Sequence, residues 1–83
     1  MFTNTFTREG LKAVRVDETV SGGTTVTYVG NAEPNSKNSE PRWQIRRVVT
    51  VVSGGNTSTE ITFPNGDNTY TKVWDDRTTY VYA

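Results

Sequence analysis

The chain contains no cysteine and no histidine. Those two absences remove disulfide staples, the usual zinc sites, and every nucleophilic mechanism that relies on a thiolate or on an imidazole base. Leucine and methionine each occur once and alanine three times, so the strongest helix formers are nearly missing. No apolar run approaches the roughly eighteen residues that a membrane helix needs, and the opening MFTNTFTREG has Thr and Asn where a secretory leader needs a continuous apolar stretch. These features lead us to expect a chain made in a cytoplasm, without export by the usual route and without a membrane partner. Excess charge of one sign is missing too: nine Lys plus Arg balance nine Asp plus Glu, which argues against nucleic acid as a partner.

What is present suits a pleated sheet. Fifteen Thr, eleven Val and four Tyr dominate the 83 residues, and only 33% of the chain is hydrophobic. A single domain of this size has a thin core, and burial against copies of itself or against a partner is one way to supplement it.

Met1 to Gly10 reads as a polar N-terminal arm ahead of one β domain covering 11–83. Its two rings, Phe2 and Phe6, sit among threonines, and either one tucks onto the core or both dock on a neighbouring subunit. From Leu11 to Val20, apolar Leu11, Ala13 or Val14, and Val16 alternate with Lys12, Arg15 and Asp17, the pattern of a half-buried strand. Ser21-Gly22-Gly23 then turns the chain into Thr24 to Val29, with Val26 and Tyr28 on one face, which makes a hairpin. The stretch 30–41, GNAEPNSKNSEP, is a loop between two hairpins, long enough to be either functional or loosely held.

The main strand runs from Arg42 to Val52, with Trp43, Ile45, Arg47, Val49 and Val51 on one face and a second half that is apolar on both. SGGN at 53–56 reverses it, repeating the Val-Ser-Gly-Gly of the first hairpin. Thr57 to Phe63 returns, with Ser58, Glu60 and Thr62 expected outward and Ile61 and Phe63 inward. FPNGDN carries an Asn-Gly turn, and Thr69 to Trp74 reads either as a short strand or as one helical turn capped by Asp67 or Asn68. DDR at 75–77 is a tight turn and TTYVYA a terminal strand. Five or six strands in meander order predict an all-β fold: a small antiparallel β-sandwich or a partly open barrel built from hairpins.

No catalytic constellation stands out. Asp75 and Asp76 are adjacent and read as turn formers beside Arg77, not as a carboxylate pair across a cleft. Asn65, Asp67, Asn68, Asp75 and Asp76 offer hard oxygens, but their spacing matches no calcium loop, so neither metal nor cofactor is expected. Arg42, Arg46 and Arg47 beside Trp43 are better explained by pairing with Glu60 or by packing over tyrosine rings than by stacking on bases. The residues expected to make protein contacts are Phe2, Phe6, Tyr28, Trp43, Trp74, Tyr80 and Tyr82, because large rings offer much area at low entropic cost.

Four segments carry a resemblance: YVG.A.P (Tyr28 to Gly30, Ala32, Pro34), WQIRR (Trp43 to Arg47), FPNGDN, and KVWDDRTTYVY (Lys72 to Tyr82). Together they resemble a group of small proteins of tailed bacteriophages, in which a YIG.A.PG segment precedes a W.I.RI strand, a turn and a closing VWDDR. The likeness covers about Thr27 to Ala83, and its closing motif is the most specific part. Here Thr-Thr-Tyr-Val-Tyr follows the Arg, and Phe63-Pro64 stands where a small residue is usual. The resemblance implies a structural component of the virion, of the tail, neck or capsid-surface kind, with no enzymatic activity. It implies a location in the virion after synthesis in the host bacterial cytoplasm, and as partners copies of itself and other virion proteins. The alternative reading is a monomeric recognition module that holds a glycan or peptide with Trp43 and the tyrosines.

Overall fold

The computed structural model describes residues 12–83; the arm that carries Phe2 and Phe6 lies outside the described residues. The fold is all-β and antiparallel. Strands β1 (Ala13–Ser21), β2 (Thr24–Ala32), β3 (Pro41–Ser53) and β4 (Asn56–Thr62) form a meander in the order β1-β2-β3-β4. A short β5 (Lys72–Val73) pairs with the start of β3, across a register shift between Pro41 and Trp43. The sheet does not close into a barrel: β1 and β4 stand at opposite edges.

The two glycine turns set the register. Ser21 pairs with Thr24 and Ser53 with Asn56, so each hairpin closes over two residues. Gly54 and Gly55 have φ of +57° and +87°, the left-handed pair that matches the twist of the flanking strands and that side chains disfavour.

Since side chains alternate along a strand and paired residues share a face, the registers assign every residue to one of two faces. The core face carries Ala13, Arg15 and Asp17 of β1, Val26, Tyr28, Gly30 and Ala32 of β2, Trp43, Ile45, Arg47 and Val49 of β3, and Glu60 and Thr62 of β4. Only the half of this face near the start of β3 is covered. There Trp74, Tyr80 and Tyr82 from the C-terminal segment pack over it, and Ala32, Trp43, Ile45 and Trp74 form the buried core.

In the C-terminal segment one reading is resolved and one corrected. Of the two readings of 69–74 the strand is found, at Lys72–Val73 (β5), and Trp74–Asp76 then form a single 3-10 turn. TTYVYA is not a strand: it turns, and only Tyr82 bridges to Pro64, flanked by hydrogen bonds between Phe63 and Ala83 in both directions. The loop 33–40 is tied in rather than loose. Trp43 Nε1 donates to the Lys37 carbonyl (2.9 Å), Arg15 Nε to Asn38 Oδ1 (3.0 Å) and the Asp75 N–H to the Asn38 carbonyl (3.1 Å).

The result is thin and drawn out. It measures 51 × 31 × 18 Å with a radius of gyration of 15.3 Å, against roughly 11–12 Å for a compact chain of this length. The half of the sheet that carries the two glycine turns projects beyond the core.

The core closes directly on the backbone at Gly30. A Cβ there would lie 2.6 Å from Trp74 Cε3 and 3.1 Å from Trp43 Cε3, and both rings are locked in the core. Gly30→Ala is expected to destabilise the fold by about 1–3 kcal/mol through overpacking. Urea unfolding followed by tryptophan fluorescence measures this; an unchanged midpoint would mean that Trp74 is free to move away.

Candidate functional site

The sequence-predicted contact residues divide by burial. Trp43 is fully buried and Trp74 is 5% exposed, so both lie in the core and present almost no surface to a partner. Their rings meet at 6.1 Å with a 42° tilt. Tyr28, Tyr80 and Tyr82 are half-buried around that pair, with Tyr28–Tyr82 centroids at 5.6 Å and Tyr80–Tyr82 at 6.5 Å. The polar ends of two of them are used internally: the Tyr82 hydroxyl donates to the Arg77 carbonyl (2.7 Å) and the Tyr80 hydroxyl accepts from the Val73 N–H (2.9 Å). Burial, then the neighbouring Tyr28 and Tyr80, pushes the Tyr82 phenol above the ordinary tyrosine range. The tyrosines therefore clad the core.

Arginines lie over this aromatic layer. Arg15 sits over Trp43 (5.2 Å), Arg77 over Trp74 (4.7 Å) and Arg47 over Tyr82 (5.0 Å). Arg77 also bonds Asp17 Oδ2 through Nε and Nη2, both at 3.0 Å, which fastens the C-terminal segment to β1. The packing of arginine over tyrosine matches the sequence expectation for Arg47. The pairing with Glu60 does not occur, because Glu60 lies opposite Val49 and Arg47 lies opposite Thr62.

These contacts explain an inversion in β1. Its charged residues Arg15 and Asp17 occupy the core face because they have aromatic and ionic partners there, which leaves Val14, Val16 and Val20 outward at 50%, 63% and 64% exposure. Ile61 in β4, expected inward, is likewise turned out at 56%, while Ser58, Glu60 and Thr62 lie on the core-side face. The two-residue turn after Ser53 requires this: it places Ile61 opposite Val48, on the face away from Trp43.

The outer face is thus a four-stranded surface of β-branched residues: Val14, Val16 and Val20, then Thr25, Thr27 and Val29, then Val48, Thr50 and Val52, then Thr57, Thr59 and Ile61. Nothing among the described residues packs over its middle. Arg46, the charge at its centre, lies along the surface, with Nη1 bonded to Asn31 Oδ1 (3.2 Å) and Gln44 Oε1 (3.4 Å). Glu18 is the other charge beside the apolar rows. The end nearest the start of β3 is polar, where Lys12, Glu33, Arg42 and Tyr70 line an open depression and Lys12 bridges Glu33 at 2.8 Å. A β-branched centre low in charge, with a polar rim, is the anatomy of a protein contact surface.

The sequence reading missed Val14, Val16, Val48 and Ile61 as a surface. The signal was there for part of it, since the face of Trp43 and the two-residue turn together fix the side on which Ile61 falls.

Of the hard oxygens near the Asn-Gly turn, those of Asp67 are already committed: Oδ2 accepts from Lys72 Nζ at 2.8 Å and Oδ1 from the Thr69 N–H at 2.9 Å. No family model, curated protein or solved structure matches this chain.

The Lys72 hydrogen bond, then the Thr69 N–H, holds the Asp67 carboxyl down at about 2, against an ordinary 3.8. A carboxylate with a lowered folded-state pKa contributes stability that is complete above the unfolded value and lost as pH falls through the folded one. The native chain is therefore expected to lose stability between about pH 4 and pH 2, and Asp67→Asn to flatten that part of the profile, as read by urea unfolding at stepped pH. Equal slopes for the two chains would place the acid sensitivity elsewhere.

Proposed function

We propose that this chain is a non-enzymatic assembly subunit of a tailed-bacteriophage virion, a tail, neck or capsid-surface component that works through contacts with copies of itself and with other virion proteins. The observation that carries the reading is the outer face: a mostly β-branched surface spanning all four strands, uncovered, while Arg15 and Asp17 of β1 are turned to the covered side and Glu18 alone of that strand's charges stays outward. Solitary exposed valines are ordinary, but exposed Val14, Val16, Val20, Val52 and Ile61 on one uncovered sheet face are a grouping that marks an interaction surface. The two open edges, β1 and β4, add backbone donors and acceptors for a neighbour. The virion assignment draws on the YVG.A.P, WQIRR and VWDDR resemblance. Phe2 and Phe6 are assigned to anchor the arm on an adjacent subunit, and the chain acts in the virion after synthesis in the host cytoplasm.

The rival, a glycan- or peptide-binding module, has one observation in its favour, the open depression lined by Lys12, Glu33, Arg42 and Tyr70.

Light scattering coupled to size exclusion over a hundredfold concentration range tests the reading. The native chain is expected to form a discrete oligomer, and Phe2→Ala/Phe6→Ala to weaken assembly at least tenfold with an unchanged circular dichroism spectrum. Unchanged assembly removes the arm from the contact. A monomer at every concentration that also fails to bind other virion proteins, combined with a fluorescence response to sugars or peptides, would replace the assembly reading by the recognition module.

A further inference from the structure

We propose that the outer face pairs with the outer face of a second copy, so that two single sheets close into one two-layered β-sandwich. This rests on the assembly reading and names the partner of its main surface.

The first argument is area. Four strands at about 4.8 Å spacing and nine residues at about 3.3 Å give a face of roughly 500–600 Å² in projection. The accessible area of a corrugated surface is larger than its projection, which brings the face near the ~800 Å² per partner of a stable standard-size interface.

The second is shape. The rows Val16–Val29–Arg46, Glu18–Thr27–Val48–Ile61 and Val20–Thr25–Thr50–Thr59 are β-branched except for Arg46, which lies along the surface, and Glu18 at the β1 edge, so the face carries no aromatic knob. A surface of even relief is complementary to itself, and two such twisted sheets pack at about 10 Å and −30°. A different partner would need to present the same flat, β-branched relief, and this chain already makes one.

The third is charge. The net charge is zero, so copies do not repel at long range. The central Arg46 is held flat by Asn31 and Gln44 and does not project as an obstacle. Glu18, the other charge within the face, stands on the edge strand β1, and the remaining charged groups gather at the rim, where Lys12 pairs with Glu33 and Arg42 lies beside them.

The fourth is the direction of β1. Val14, Val16 and Val20 take three of the four outward positions of β1, with Glu18 the fourth, as in a strand with one mostly apolar face, yet the described chain half-covers Arg15 and Asp17 on the other side and leaves the valines in water. Pairing of the outer faces covers both sides of the strand.

Three variants test this by light scattering with size exclusion. Val16→Lys/Ile61→Lys puts two charges on the outer face at residues that are more than half exposed, so the fold has no need of them. Val51→Lys changes an exposed residue on the opposite face and serves as the control. Tryptophan fluorescence of Trp43 and Trp74 reports folding in each, and Val14→Glu supplies a second outer-face variant in case the double variant unfolds.

The native chain and Val51→Lys are expected at twice the 9.3 kDa chain mass or an even multiple of it. The outer-face variants are expected as folded monomers, with the association midpoint moved at least tenfold to higher concentration. Outer-face variants that stay as oligomeric as the native chain would overturn the face pairing while leaving the assembly reading in place, with the edges or the arm as its contact. A native chain that is monomeric alone but binds another virion protein through this face would overturn the choice of a second copy. A native chain that does neither would overturn both readings.

Discussion

Trp74 lies against the bare backbone of Gly30, and the remaining covered structure depends on that contact. The C-terminal segment has almost no regular structure of its own: a two-residue strand, one 3-10 turn and one bridge. It holds its place because one large ring enters the gap left by a missing Cβ and meets Trp43 there. Arg77 then reaches Asp17, Tyr82 reaches the Arg77 carbonyl, and the Asp75 N–H reaches Asn38, so that loop, sheet and tail are joined around one aromatic pair. Burial of two tryptophans is a large contribution for a core of four residues.

That economy has a consequence for shape. The covering segment is long enough to shield only half of one face, so the hairpin ends project with both faces open, and the opposite face is uncovered across all four strands. Arginine takes part in covering the core face because its stem and planar head pack over rings while keeping a polar edge to water. With Arg15, Arg47 and Arg77 on that side, three of the four outward positions of β1 are left to valine and the fourth to Glu18. The apolar outer face and the arginine-roofed core face therefore arise from the same alternation.

Much of the fold could be read in the chain. The glycine turns, the hairpins they close and the sharing of a face by Trp43, Ile45 and Arg47 follow from local chemistry, because a two-residue turn and a period of two are properties of short stretches. The candidate site was read less well. Large rings were taken as contact residues, and Trp43 and Trp74 proved to be the core itself, since a chain with so few bulky residues needs its tryptophans inside. TTYVYA has the composition of a strand, but its threonines turn and only Tyr82 pairs, because the position of the segment is fixed by Trp74 and Arg77 rather than by a ladder.

What the sequence determined by itself is the all-β class, the meander order and the grouping of residues into two faces, for these depend on propensity, turn residues and parity within a few positions. What only the tertiary structure decided is which face is inside. In β1 the alternation is equally satisfied by either choice; the distant partners Trp43, Asn38 and Arg77 settled it by engaging Arg15 and Asp17. Period-two patterning carries no sign. The sign comes from contacts between residues far apart in the chain, up to sixty positions in the case of Asp17 and Arg77.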